Sequence, residues 1–169
     1  MLLNVLLRLA RVRFTVTYAV TLVSIGTALL LVGPQARDQI IRQASTNLDN
    51  LRHGHLGTLL GSAFVTDIDT GPMYLWLPGL ICLLALAELL WRSGRLATVF
   101  LTGHVGASLL VAAGLAGAVR LGWLPLSITF ARDVGMSYGA AAVRGALTAA
   151  IPRRGRPAWI GWWLSVAVG

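Results

Sequence analysis

Gly135-Met136-Ser137-Tyr138-Gly139 sets a serine hydroxyl between glycines near one end of an apolar run, where it could act as an intramembrane nucleophile. A serine is a weak nucleophile until an adjacent base takes its proton. The chain holds three histidines, His53, His55 and His104, and all precede the serine. His104 lies about a third of the way into its apolar run from the basic end, whereas Ser137 lies near the opposite end of its own. At about 1.5 Å of rise per residue, that predicts a separation beyond hydrogen-bond reach. The expected partner of His104 is then Ser108, one turn on, or a neighbouring carbonyl. His53 and His55 fall in a loop on the serine's side, where a histidine is more often solvated or interfacial than catalytic. No third ligand is spaced to join them, so no metal site is expected.

The elements that must position the serine follow from composition. Apolar residues make up 56% of the chain and charged residues 12%, with a mean hydropathy of +0.74. That balance defines an integral membrane protein. Residues 14–36, 70–87 and 96–119 contain no Asp, Glu, Lys or Arg, and residues 134–152 contain only Arg144. Each run is about long enough to cross ~30 Å of hydrocarbon. A fifth run begins at Pro157 and is still apolar at Gly169. The expected fold class is an all-α polytopic transmembrane helix bundle, with about four complete spans plus a partial fifth. Residues 1–13 form a basic cytoplasmic amino terminus and 14–169 one membrane domain. A backbone ending in mid-bilayer leaves carbonyls and a carboxylate unsatisfied, so a truncated chain is expected. The alternative is an interfacial segment held by Trp159, Trp162 and Trp163.

The net charge of +8 comes from arginine alone. Arg8, Arg11 and Arg13 precede the first span, Arg92 and Arg95 follow the second, and Arg153, Arg154 and Arg156 follow the fourth. All three clusters fall on one side, which the positive-inside rule makes cytoplasmic. The charge is an orientation signal and not a nucleic-acid surface. The expected location is therefore the plasma membrane, multi-pass, with the amino terminus inside. The first run is longer than the core of a signal peptide, and further spans follow, so a retained anchor is expected. The single cysteine, Cys82, excludes an internal disulfide. No nucleotide loop, metal cage or cofactor motif is present, so no cofactor is expected.

An outer loop spans about residues 34–71. In it Ile40, Ile41, Ala44, Leu48 and Leu51 keep near-helical spacing, predicting an amphipathic helix in or near the interface. Gly54, Gly57 and Gly61 then interrupt it before an apolar patch at Leu59 to Phe64. The pattern predicts a lid or a loop dipping into the membrane, with a solvated connector as the plain alternative. Small residues recur at helical intervals, Gly103, Gly106 and Ala107 on the third span and Gly135, Gly139, Ala142 and Gly145 on the fourth. They predict close helix packing, which by itself accounts for both glycines around Ser137. Glu88 and Arg144 are charges inside spans, where ionisable groups face the bundle interior, and a Glu88–Arg144 pair tying the second and fourth spans is expected. Snorkelling to the headgroups is the alternative for Arg144. Trp76, Trp91, Trp123 and Trp159 fit interface anchors.

The order of features from about Asn50 to Leu147 resembles the rhomboid family of intramembrane serine proteases. The loop phrase Leu56-Gly57-Thr58-Leu59-Leu60-Gly61-Ser62-Ala63-Phe64 leads to a helix ending Leu86-Ala87-Glu88. The turn Ser93-Gly94-Arg95-Leu96-Ala97-Thr98-Val99-Phe100 opens the next helix, and Gly135-Met136-Ser137 matches the family's Gly-x-Ser motif. Actinobacterial members with an Asp-Val-Gly-x-Ser-Tyr-Gly phrase are similar to Asp133 through Gly139. The resemblance implies Ser137 as nucleophile, with Gly135, Met136, Tyr138 and Gly139 around the oxyanion. It also implies a general base on a later helix that this chain does not contain. The family's His-x-x-x-Asn oxyanion motif has no counterpart near Pro72 to Trp76. Losing one such donor costs about 2.7–4 kcal/mol of transition-state stabilisation.

Three functions are compatible with these features. One is a protease cleaving transmembrane segments, and a second is an inactive relative that binds membrane clients. The third, a small transport or channel subunit, ranks last because Glu88, His104 and Arg144 are nearly all the polarity the spans offer.

Overall fold

The structure is a computed structural model that describes residues 11–66 and 73–161. Arg8, Asp67, Asp69, Pro72, Trp162, Trp163 and the end of the fifth apolar run lie outside the described residues. Every regular element among those described is helical. α1 runs Arg13–Leu31 and stops where Gly33 takes φ 84° and Pro34 opens α2, Pro34–Ala44. Glycine alone adopts that φ without strain, and proline at a first helical position gives up no hydrogen bond. The first span is thus shorter than its apolar run. The amphipathic stretch of the loop forms two helices, α2 and α3 (Leu48–Arg52), because the Asn47 side chain caps α3 by accepting from the Asn50 amide. α4, Thr58–Gly61, runs into a 3₁₀ turn, Ser62–Phe64.

α5, Met73–Arg120, counts 48 residues, and a straight helix of that length would extend about 72 Å. It does not stay straight. Arg92 has φ 69° and ψ 156° inside it, and two arms, 73–91 and 93–120, meet there. Thr15 bonds Glu88 on the first arm while Tyr18, one turn along α1, packs edge-on against Phe100 of the second. The arms therefore fold back on each other beside α1. That backbone conformation is almost exclusive to glycine and costs an arginine about 1–3 kcal/mol. A 3₁₀ turn at Leu126–Phe130 leads to α6, Ser137–Ala150, and residues 156–161 are again helical.

One cluster joins α1, both arms of α5 and α6 through Tyr18, Leu22, Leu84, Ala87, Leu96, Phe100, Val143 and Leu147. Outside it, Leu30, Leu75, Leu110 and Leu121 are each more than 60% exposed. A bundle buried inside and apolar outside is built for hydrocarbon. By length and composition, α1 and residues 75–120 are each long and apolar enough to cross a membrane, the latter with its reversal at Arg92.

Candidate functional site: the groove beside Ser137

Each residue of the Asp133 to Gly139 phrase has a structural task. Asp133 is pinned to the loop: its amide donates to Ser45 Oγ at 2.7 Å and its carbonyl accepts from the Thr46 amide at 2.9 Å. Gly135 takes φ 116°, open to glycine and strained for other residues, and its amide donates to the Ser62 carbonyl at 2.8 Å. Ser137 is the first residue of α6, and its N-cap, Met136, supplies no side-chain cap. The first amides of the helix consequently lack intrahelical acceptors and lie beside the serine. Tyr138 donates its hydroxyl to the Asp133 carboxylate and lays its ring 6.1 Å from that of His104. Gly139 is buried against the Phe100 ring, where a Cβ would come within 2.6–2.8 Å of three ring carbons.

Ser137 is exposed, and what it faces is an apolar groove of about 600 Å³ between the first arm of α5 and α6. Trp76, Leu80 and Leu83 form one wall, Met136 and Ala140 the other, with Trp159 closing one side. Arg144, seven residues beyond Ser137, and Cys82 also line it. Trp76 is more than an interface anchor, since it packs on the core cluster and its indole N–H is buried with no acceptor among the described residues. It lies in the stretch where the resemblance calls for side-chain oxyanion donors. Sequence reading looked there for His and Asn and so passed over the indole.

His104 lies level with this site, not far below it. The second arm of α5 has 28 residues and extends about 42 Å, which sets His104 about 16 Å from Ser93, whereas α6 covers only about 21 Å and so begins well inside the second arm's far end. Counting along apolar runs missed this because the runs differ in length from the helices. The ring is nevertheless committed elsewhere. Its Nε2 is 3.0 Å from Ser62 Oγ, which is 2.7 Å from Thr46 Oγ1, itself 2.7 Å from the Thr58 carbonyl oxygen. With one proton per hydroxyl, a neutral imidazole carrying its hydrogen on Nε2 satisfies this chain from end to end. Ser108, the expected partner, makes no bond to it, and Nδ1 and Ser108 Oγ are both buried without a partner among the described residues. These bonds fasten the loop to the second arm of α5, and those of Asp133 and Gly135 fasten it to the segment leading into α6, so the loop is a docked element rather than a solvated connector. His53 and His55 stay exposed, His53 beside Asp49 at 3.6 Å.

Glu88 does not pair with Arg144. Its oxygens accept from the Phe14 and Thr15 amides, both at 2.8 Å, from the Thr15 hydroxyl at 2.7 Å, and from Ser93. Among the described residues no group of three metal-ligating side chains assembles.

Burial holds the Asp133 carboxyl above the ordinary carboxylate range, and the Tyr138 hydrogen bond only partly opposes this. A raised carboxyl favours folding while protonated, and that contribution is lost as pH rises through its ordinary value and past the raised one. Asp133→Asn keeps an acceptor for Tyr138 and removes the charge. It is expected to raise Tm slightly at pH 7 and to match the parent chain near pH 3.5; an equal gain at both pH values would place the effect outside this carboxyl.

The fold and the site define an apolar helix bundle with a groove between two helices and a serine at its rim. The model of the rhomboid-like protein family matches residues 8–168, and the chain belongs to that family. No curated protein and no solved structure matches it.

Proposed function

We propose that the groove between the first arm of α5 and α6 holds a transmembrane segment of a membrane client, with Ser137 beside the bound segment. In this reading four helices cross the plasma membrane, the arginine-rich ends are cytoplasmic, and Ser137 lies toward the outer face. The supporting observation is the exposed serine on a helix amino terminus opening into a groove walled by leucines, tryptophans and methionine. Such a surface suits an apolar helix and offers little to a soluble ligand. Client binding needs no base, and His104 is already bonded to Ser62.

Peptide hydrolysis is the second reading, favoured by the uncapped amides at the start of α6, which are oxyanion-type donors beside Ser137. It requires a general base beyond the described residues.

Cys82 is the only cysteine and faces the groove, so a benzophenone attached there reports its occupant. Crosslinking to a single-span model peptide in liposomes, abolished by Ala140→Trp, is the expected result. Crosslinking unaffected by Ala140→Trp would remove the groove from the proposal. Fluorophosphonate labelling that is lost in Ser137→Ala would favour hydrolysis over binding alone.

A further inference from the structure

The end of the bundle opposite Ser137 holds a second cavity, of about 1030 Å³, where α1 begins and the arms of α5 meet. Arg11, Arg13, Arg92 and Arg95 line it, together with Glu88, Ser93, Leu89, Leu90 and Trp91. We propose that this cavity binds the phosphate of an anionic phospholipid.

Four arginines line the cavity from two stretches of chain, the start of α1 and the reversal of α5, and all four are exposed and accessible. The one lining carboxylate makes no ion pair with them and offsets only one of the four charges. Glu88 spends its oxygens on the Phe14 and Thr15 amides and on two hydroxyls, and Arg13 reaches only Ser93 Oγ, at 3.3 Å. The ion pairs among the described residues, His53 with Asp49 and Arg132 with Asp38, are both elsewhere. Guanidinium forks match phosphate oxygens in geometry as well as charge, and basic pockets between helices at a membrane surface suit lipid headgroups.

An orientation signal accounts for arginines at this end, but it does not account for Arg92. The residue adopts φ 69° and ψ 156°, where glycine would be relaxed, and it is the one non-glycine residue with positive φ among those described. A strained arginine in the lining of the cavity, where glycine would cost nothing, points to a use for its side chain. The remaining lining separates a lipid from free phosphate. Leu89 and Leu90 are 61% and 56% exposed beside the arginines, and Trp91 is the amphipathic neighbour of both. A headgroup on the guanidiniums would lay its acyl chains along the two leucines.

The test uses the full chain in a neutral detergent, titrated with phosphatidylglycerol, phosphatidylcholine or glycerol phosphate and read by native mass spectrometry and by Tm. Phosphatidylglycerol is expected to bind at least tenfold more tightly than phosphatidylcholine. Arg92→Gln should weaken it roughly fivefold, and Arg92→Gln with Arg95→Gln roughly 25-fold. Arg92→Gly should lose the same fivefold while raising Tm in the absence of lipid, a gain that Arg92→Gln, which keeps the strain, should lack. Equal binding of the two lipids, or wild-type affinity in the double variant, would overturn the proposal. Glycerol phosphate binding as tightly as phosphatidylglycerol would assign the cavity to soluble phosphate esters and overturn the lipid reading.

Discussion

Glu88→Ala is expected to destabilise the detergent-solubilised protein by about 3–5 kcal/mol, the range for removing one partner of a buried charged network. α1 enters with Val12 as its N-cap, and Val12 has no side chain that can cap. The Glu88 carboxylate, 73 and 74 positions away, does this work from the neighbouring helix, accepting from the first amides of α1 and from the Thr15 hydroxyl. It also sets a negative charge at the positive end of that helix dipole. Glu88 is 1% exposed and Thr15 1%, so these bonds are made out of contact with bulk water. Each donor left unsatisfied costs about 1–3 kcal/mol. Glu88→Gln keeps one acceptor oxygen and should lose less than half as much. Thr15→Val removes one bond and should cost about 1 kcal/mol, coupling to Glu88→Gln in a double-mutant cycle. Arg144→Leu should show no coupling to Glu88→Gln. Reversible unfolding in mixed detergent measures all four; a loss below 1 kcal/mol in Glu88→Ala would refute the capping role.

The Glu88 result illustrates how far the sequence could be read. That a carboxylate in a span must find an inward partner was legible from its cost in hydrocarbon. Which partner it finds was not, because Arg144 was the conspicuous opposite charge and backbone amides carry no sequence signature. The apolar runs likewise announced a helical membrane bundle, and the position of the Gly-Met-Ser phrase announced a serine near one end of a helix. What stayed hidden was relative depth. His104 comes level with Tyr138 because a 28-residue arm packs beside a 14-residue helix, and run lengths alone conceal that difference. The docking of the loop through Thr46 and Ser62 was hidden for a related reason: serine and threonine are as common in solvated turns as in buried networks.

Gly103→Ala should be among the most damaging single-methyl additions, costing about 3 kcal/mol, the upper end of ordinary overpacking. A Cβ built on Gly103 would lie 2.1 Å from the Ala142 Cβ and 3.6 Å from its Cα, so the second arm of α5 and α6 meet here with only the Ala142 methyl between them. The two helices would have to separate, drawing Phe100 away from Gly139 on the same interface. Separation would also strip contacts from Val143 and Leu147, both buried in the shared core. The small-residue stripes do not act uniformly, however. A Cβ on Gly106 or on Gly145 meets nothing within 4 Å, so Gly106→Ala should be neutral or stabilise by up to about 1 kcal/mol through helix propensity. Propensity would make Gly103→Ala favourable too, and so the sign of its effect separates contact from propensity. The decisive variant exchanges the pair: Ala142→Gly in the Gly103→Ala background returns the missing space from the opposite helix. Unfolding midpoints in detergent should show most of the loss recovered, at a residual cost of about 1 kcal/mol for glycine inside α6. If the exchange recovers nothing, the close approach of these helices at Gly103 is not what holds α6, and with it Ser137, against the groove.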